Sequence, residues 1–157
     1  MIAAAAAVPL LLAGCGDDGG SGAGGACGPI RRERLDPNFL QHVLTDDGIV
    51  YTSDPPTSGP HQQTPPVEGV VDEALSKPVQ IGVLERGDVL LQHGPDVPEQ
   101  QVADIEALAG DGVVVAPDPD LADPVVATAW VHKRTCSSVD VDDLEEFIAE
   151  RRGKGPE

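Results

Sequence analysis

The chain of 157 residues carries 27 Asp and Glu against 10 Lys and Arg, a formal charge of −17. That length supports one core of ordinary size and not two, and with aromatics at only 3% the core must be built from Val, Leu, Ile and Ala. So acidic a chain is excluded from nucleic-acid backbone, where affinity comes from Lys and Arg neutralising phosphates, and its net charge is repelled by anionic lipid headgroups.

Residues 1–14 contain no charge and include the apolar runs Ala3–Val8 and Pro9–Leu12. An apolar run of about 12 residues is too short to cross a bilayer, which needs about 20, and it fits the h-region of a signal peptide. Leu12-Ala13-Gly14-Cys15 has the form of a bacterial lipobox, which predicts that Cys15 is lipidated and becomes the new N-terminus. The competing reading, an apolar tail of the folded domain, leaves the small-residue motif ending in Cys without a reason. No Lys or Arg precedes the run, so the true translation start is expected upstream.

From Gly16 to Gly28, seven of 13 residues are Gly. Cys15 and this segment, residues 15–28, read as a flexible tether between membrane and domain. Residues 29–157 then form a single domain. With Cys15 lipidated, Cys27 and Cys136 remain, and in an exported protein two cysteines most economically form a disulfide. The loop it closes has about 110 residues, and the pair is not CxxC, so a thioredoxin-type role has no support.

From Pro29 to about Val79 the chain reads as irregular. Residues 55–66 hold five prolines, each fixing its own φ and restraining the residue before it. A short extended piece is expected at Ile49–Thr52. Val79–Gly82 and Val89–Gln92 read as strands, with Glu85-Arg86-Gly87-Asp88 between them as a hairpin turn or bulge. Pro98–Ala109 reads as a helix, with Val102, Ile105 and Leu108 on one face and Gly110 at its C-terminal stop. Val113–Ala116 is an all-apolar strand suited to the centre of a sheet, and Val125–His132 is the last strand. The final helix has Asp140 as N-cap, acids in its first turn, Arg151 and Arg152 near its end, and Leu144, Phe147 and Ile148 on its inner face. The fold class is α+β, a small sheet covered by helices in the order ββαββα after an irregular Pro-rich half.

Tyr51–His61 reads YTSDPPTSGPH. Together with LERG at Leu84–Gly87, VVVAP at Val113–Pro117, VVATAW at Val125–Trp130 and RGKGPE at Arg152–Glu157, it resembles the bacterial domain of unknown function numbered 3105. The resemblance runs from about Cys27 to the C-terminus, and His42-Val43 and both cysteines fit it. It implies an actinobacterial exported or membrane-anchored protein and carries no biochemical function. Members read H-x-L-E-H-G where this chain has Gly82-Val83-Leu84-Glu85-Arg86-Gly87, so two family histidines are replaced by Gly82 and Arg86. The family's aromatic after this strand falls at His93. Of that pattern His61 and Glu85 remain. If the family site is metallic, histidine at positions 82 and 86 should raise metal affinity.

The four histidines, His42, His61, His93 and His132, are isolated in sequence. A metal site from His61, His93 and Glu85, with His42 as a further candidate, suits Zn²⁺ or Cu²⁺. The bland alternative is a rigid loop in which the His61 imidazole hydrogen-bonds backbone and fixes the prolines. Glu85 is either a buried general acid–base group or a turn residue, and Trp130 is either core or a stacking platform. Asp118-Pro119-Asp120 with Asp123 lacks the spacing and Gly of a calcium loop. Ser58 has no nucleophile elbow, and GxGxxG, P-loop and zinc-finger spacings are absent.

The residues thus point to a membrane-anchored extracytoplasmic lipoprotein whose domain is a non-enzymatic binding or accessory module, with no firm cofactor. The alternative is an exported Zn- or Cu-binding protein or metal-dependent enzyme centred on His61. Candidate ligand-binding residues are His61, Glu85, Arg86, His93 and Trp130. Stiffness further predicts that Pro55–His61 packs on Leu84–Gly87 as one composite surface feature, with the His61 N–H given to Glu85 or a carbonyl. Arg86 then sets a positive charge beside it that disfavours a cation and favours an anion or an internal carboxylate partner.

Overall fold

The computed structural model describes residues 25–45, 47–63 and 66–156. The signal-peptide and lipidation expectations, Cys15 included, lie outside them. The elements, in chain order, are β1 (Arg31–Arg32), β2 (Gly69–Val70), α1 (Lys77–Glu85), β3 (Val89–His93), α2 (Glu99–Glu106), β4 (Val113–Pro117), β5 (Val125–Ala129), β6 (His132–Cys136) and α3 (Val141–Arg151). They form one mixed sheet in the order β1-β6-β5-β3-β4-β2. This is an α+β fold.

The apolar runs sit at the sheet centre, as their composition demands. β3 pairs parallel with β4 (Leu90 opposite Val114) and antiparallel with β5 (Leu90 opposite Thr128). Because successive strand residues face opposite sides, two cores result. Val89, Leu91, Val113 and Val115 pack with Ile105 of α2 and with Leu144 and Phe147 of α3. Leu90, Val114 and Ala116 face the other way, onto Ile81, Val83 and Leu84 of α1 and onto Trp130. Full burial of side chains of this size stabilises by about 1.5–3 kcal/mol each. Phe39 meets Trp130 edge-on at 6.2 Å, which places Trp130 in the core.

The expected ββαββα order gives way to αβαβββα from residue 77 onward. Val79–Gly82, expected as a strand, is the middle of α1. This helix is buried almost all round, so no polar stripe marks its period, and Gly82 weakens its helical signal. Its start signals are Ser76 at the N-cap position, which makes no side-chain cap bond, and Pro78 in the first turn. Glu85–Asp88 is accordingly the exit from a helix and not a hairpin. Val125–His132 divides into β5 and β6 around Trp130-Val131, where Val131 takes φ +50°. A β-branched residue there stores strain of about 1–3 kcal/mol. The turn is held from outside: Val131 N–H donates to Thr57 C=O at 3.0 Å, and Glu33 N–H donates to Val131 C=O at 2.8 Å. Ile49–Thr52 forms no strand, and α2 ends at Glu106, with Gly110 bridged to Val113.

The last helix follows its sequence signals. The Asp140 side chain accepts from Asp143 N–H at 3.2 Å, Leu144 and Phe147 are buried, and Ile148 packs on the core. Arg134 of β6 ties this helix to the sheet. Its guanidinium donates to Asp143 (2.6 Å), Glu146 (2.7 Å) and Gly28 C=O (2.9 Å).

Cys27 and Cys136 are joined by a disulfide across 109 residues. It fastens the segment preceding β1 to the end of β6. Replacing both cysteines by Ser should lower stability by about 2–5 kcal/mol, chiefly by freeing the unfolded chain. Urea unfolding of the two forms, each without reductant, measures the difference.

Candidate metal centre

The proline segment is an inner layer and not the surface feature expected: every residue from Pro55 to His61 is buried. Prolines bring no N–H to be satisfied and lose little entropy on ordering, which suits a buried segment without regular structure. Its end is bonded on both sides. His61 N–H donates to Gln41 C=O (3.0 Å) and His61 C=O accepts from Val43 N–H (2.9 Å), which sets His42 beside His61. On the other flank Gln62 N–H donates to Pro78 C=O at 3.1 Å. Gly82 allows the final approach, because a Cβ there would stand 2.8 Å from the Gln62 carbonyl oxygen. Glu85 lies three residues beyond Gly82 on the same helix face. It therefore reaches His61.

The ring of His61 is fixed at one end. Its Nδ1 lies 3.1 Å from Gly59 C=O, and since a carbonyl only accepts, Nδ1 carries the hydrogen. Gly59 has φ +139°, and a Cβ on it would stand 3.0 Å from the Tyr51 ring; the Tyr51 hydroxyl donates to Pro60 C=O at 3.0 Å. In the neutral ring the lone pair is then on Nε2. That atom is buried and makes no hydrogen bond. Glu85 Oε2 stands 2.9 Å from it, a charge contact whose alignment does not meet hydrogen-bond geometry. A lone pair that close to a carboxylate oxygen is repulsive unless a proton or a cation lies between them.

His42 completes the group. Its ring meets that of His61 edge-on at 4.8 Å, and one ligand atom from each of His42, His61 and Glu85 lies within 4.8 Å of the others. Two imidazoles and a carboxylate are the donor set of Zn²⁺ and Cu²⁺ sites. The buried member is His61, whose side chain is 1% exposed, whereas that of Glu85 is 37% exposed and His42 is on the surface. The C-terminal segment backs the site: Gly153 N–H donates to Gly87 C=O at 2.7 Å, and a Cβ on Gly155 would lie 2.6 Å from Glu85 C=O.

The other candidates are elsewhere. His93 ends β3, about 13 Å along the strand from Val89. Arg86 does not present a free charge to the site. It donates to Asp88 Oδ2 (2.7 Å), Val67 C=O (3.0 Å) and Gly82 C=O (3.2 Å), bracing the end of α1. Arg86 thus has the internal carboxylate partner expected of it, in Asp88, and a side chain at Gly82 would push into the Gln62 backbone. The Asp118 carboxylate accepts from Gln92 and from Asp120 N–H. Asp36, which no motif signalled, is buried beneath the loop and gives its N–H to Ser58 Oγ at 2.9 Å.

The family model for "Protein of unknown function (DUF3105)" matches residues 42–157, and the chain belongs to that family. Both histidines, Glu85 and the C-terminal backing lie within the matched region. No curated protein and no solved structure matches the chain.

Gly82→Ala should destabilise the domain by about 1–3 kcal/mol, the usual cost of forcing an extra carbon into a packed site. Gly110→Ala, where an added Cβ meets nothing within 4 Å, should leave stability nearly unchanged. Thermal or urea unfolding of the pair separates a steric demand at Gly82 from a general glycine effect.

Proposed function

We propose that this domain is a metal-binding accessory module that takes a divalent transition ion, Zn²⁺ or Cu²⁺, through His42, His61 and Glu85. The observation that carries this reading is the buried Nε2 of His61, without a hydrogen-bond partner and facing a carboxylate oxygen at 2.9 Å. An ion between them converts the repulsion into two coordinate bonds. The Gly59 carbonyl behind Nδ1 is the usual second contact of a metal-bound histidine, fixing tautomer and ring direction. Three protein ligands leave one position of a tetrahedral ion open. With His42 and Glu85 at the rim, that position is reached from solvent. Such a site suits taking up and handing on an ion better than a closed structural centre.

A second reading follows from the same contact. With a proton on Nε2 in place of a metal, His61 and Glu85 form an imidazolium–carboxylate pair, and the ring acts as a structural tie. Metal titration decides between them. Calorimetry on the purified full-length chain should show one equivalent of Zn²⁺ or Cu²⁺ bound. His61→Ala and Glu85→Gln should each weaken it by more than the roughly 10–100-fold that loss of a supporting contact costs. Binding unchanged in both variants would leave the proton-only pair.

We further propose that the protein is lipid-anchored at Cys15 on the extracytoplasmic face of the membrane. The lipobox residues Leu12–Cys15 and a disulfide of the kind that persists in oxidising compartments support it. Cys15→Ser should move the protein from the membrane fraction to the soluble fraction, as immunoblotting of fractionated cells would show.

A further inference from the structure

The acidity of the chain conceals a strongly uneven placement of its cations. Of the ten Lys and Arg, all but Lys77 and Arg86 come from residues 31–34, from β6, and from the end of α3 with the tail after it. β1 and β6 are neighbours at one edge of the sheet, with Arg32 opposite His132. At this edge a cavity of about 300 Å³ is bounded by Arg32, His132, Arg151 and Lys154, with Trp130 and Leu35 supplying apolar wall. Arg32 and Lys154 form no ion pair among the described residues. Arg151 is paired with exposed Glu150, yet its Nε is buried and makes no hydrogen bond. One Arg151 Nη donates to His132 Nε2 at 3.1 Å, while His132 Nδ1 donates to Trp130 C=O at 2.8 Å.

These four side chains come from three separate parts of the chain, so folding brings like charges together at a Coulombic cost. Burial first, and then the charges of Arg151, Arg32 and Lys154, hold His132 below its ordinary pKa, against the bond to Trp130 C=O that raises it. A counter-anion relieves that cost. Guanidinium forks match the paired oxygens of phosphate and carboxylate. The net charge excludes an extended polyanion, but one cavity answers to its own lining.

We propose that this cavity is a binding site for a small anion of phosphate or carboxylate type, held by Arg32, Arg151 and Lys154 against the Trp130 wall. The proposal is independent of the metal reading. The ligand chemistry is shared by a free phosphate and by the phosphate of a lipid headgroup. Trp130 is the only Trp of the chain and reports on the cavity directly. The full-length chain in detergent is titrated with inorganic phosphate at constant ionic strength, with chloride as control, and separately with phosphatidylglycerol or phosphatidylcholine vesicles. A saturable change in Trp130 emission with phosphate, absent with chloride, is expected. The Arg32→Gln/Lys154→Gln double variant, which removes two exposed side chains without an ion partner, should weaken it at least about tenfold. Lys77→Gln should not alter it. A response to phosphatidylglycerol but not to phosphate or phosphatidylcholine, lost in the double variant, supports the site with a headgroup as its source. No response to either anion, a response matched by chloride, or one unchanged in the double variant overturns the proposal.

Discussion

Seven consecutive residues, Pro55–His61, are buried without belonging to a helix or a strand, so their main-chain groups need partners found singly. The Thr57 carbonyl takes the N–H of strained Val131, the Gly59 carbonyl takes the His61 ring, and the Pro60 carbonyl takes the Tyr51 hydroxyl. His61 exchanges both of its main-chain bonds with Gln41 and Val43. Each bond fixes a different part of the molecule: the β5–β6 turn, the irregular segment around residue 42, and the packing of Tyr51. Three prolines in the segment remove three donors that would otherwise need partners. The layer over one face of the sheet is thus specified by hydrogen bonds where a helix would have been specified by its period.

The same bonds define the chemistry. His61 has one nitrogen committed to backbone and the other left over, and α1 is steered by Gly82 so that Glu85 arrives at the second. A Cβ at position 82 would stand 2.8 Å from the Gln62 carbonyl oxygen, so helix or loop would have to shift. Arg86, adjacent in sequence to Glu85, is withdrawn by Asp88 and by two carbonyls. Its charge is spent on holding the helix end in place, so a cation at the carboxylate meets less opposition than sequence proximity suggests.

Legibility in the sequence followed how local each cause was. Strands β3 and β4, the N-cap at Asp140 and the buried face of α3 were readable because pattern and capping act within a few residues. The docking of the PPTSGPH segment on Glu85 was also readable, through chain stiffness and the family pattern. Helix α1 was not, because it is covered on nearly every side and carries no amphipathic signature. Nor was the break at Val131, where no Gly, Asn or Asp announces a turn and the conformation is imposed by Thr57, 74 positions away along the chain. The approach of His42 to His61 was half visible. The residue type was right for a ligand, but only the bridge to His61 puts it within reach. The cation edge was hidden by the net charge, a sum that says nothing of position.

The link between Cys27 and Cys136 also has a mechanical meaning. β1 is two residues long and bonds only to β6; a pull on the N-terminal segment would peel it away one hydrogen bond at a time. The covalent link stands upstream of β1 and passes tension at residue 27 directly to the end of β6. β6 is held to β5 over five residue pairs and to α3 through Arg134. A chain hauled by its leading end would carry the load in its sheet, and the segment leading to His42 and His61 would stay slack.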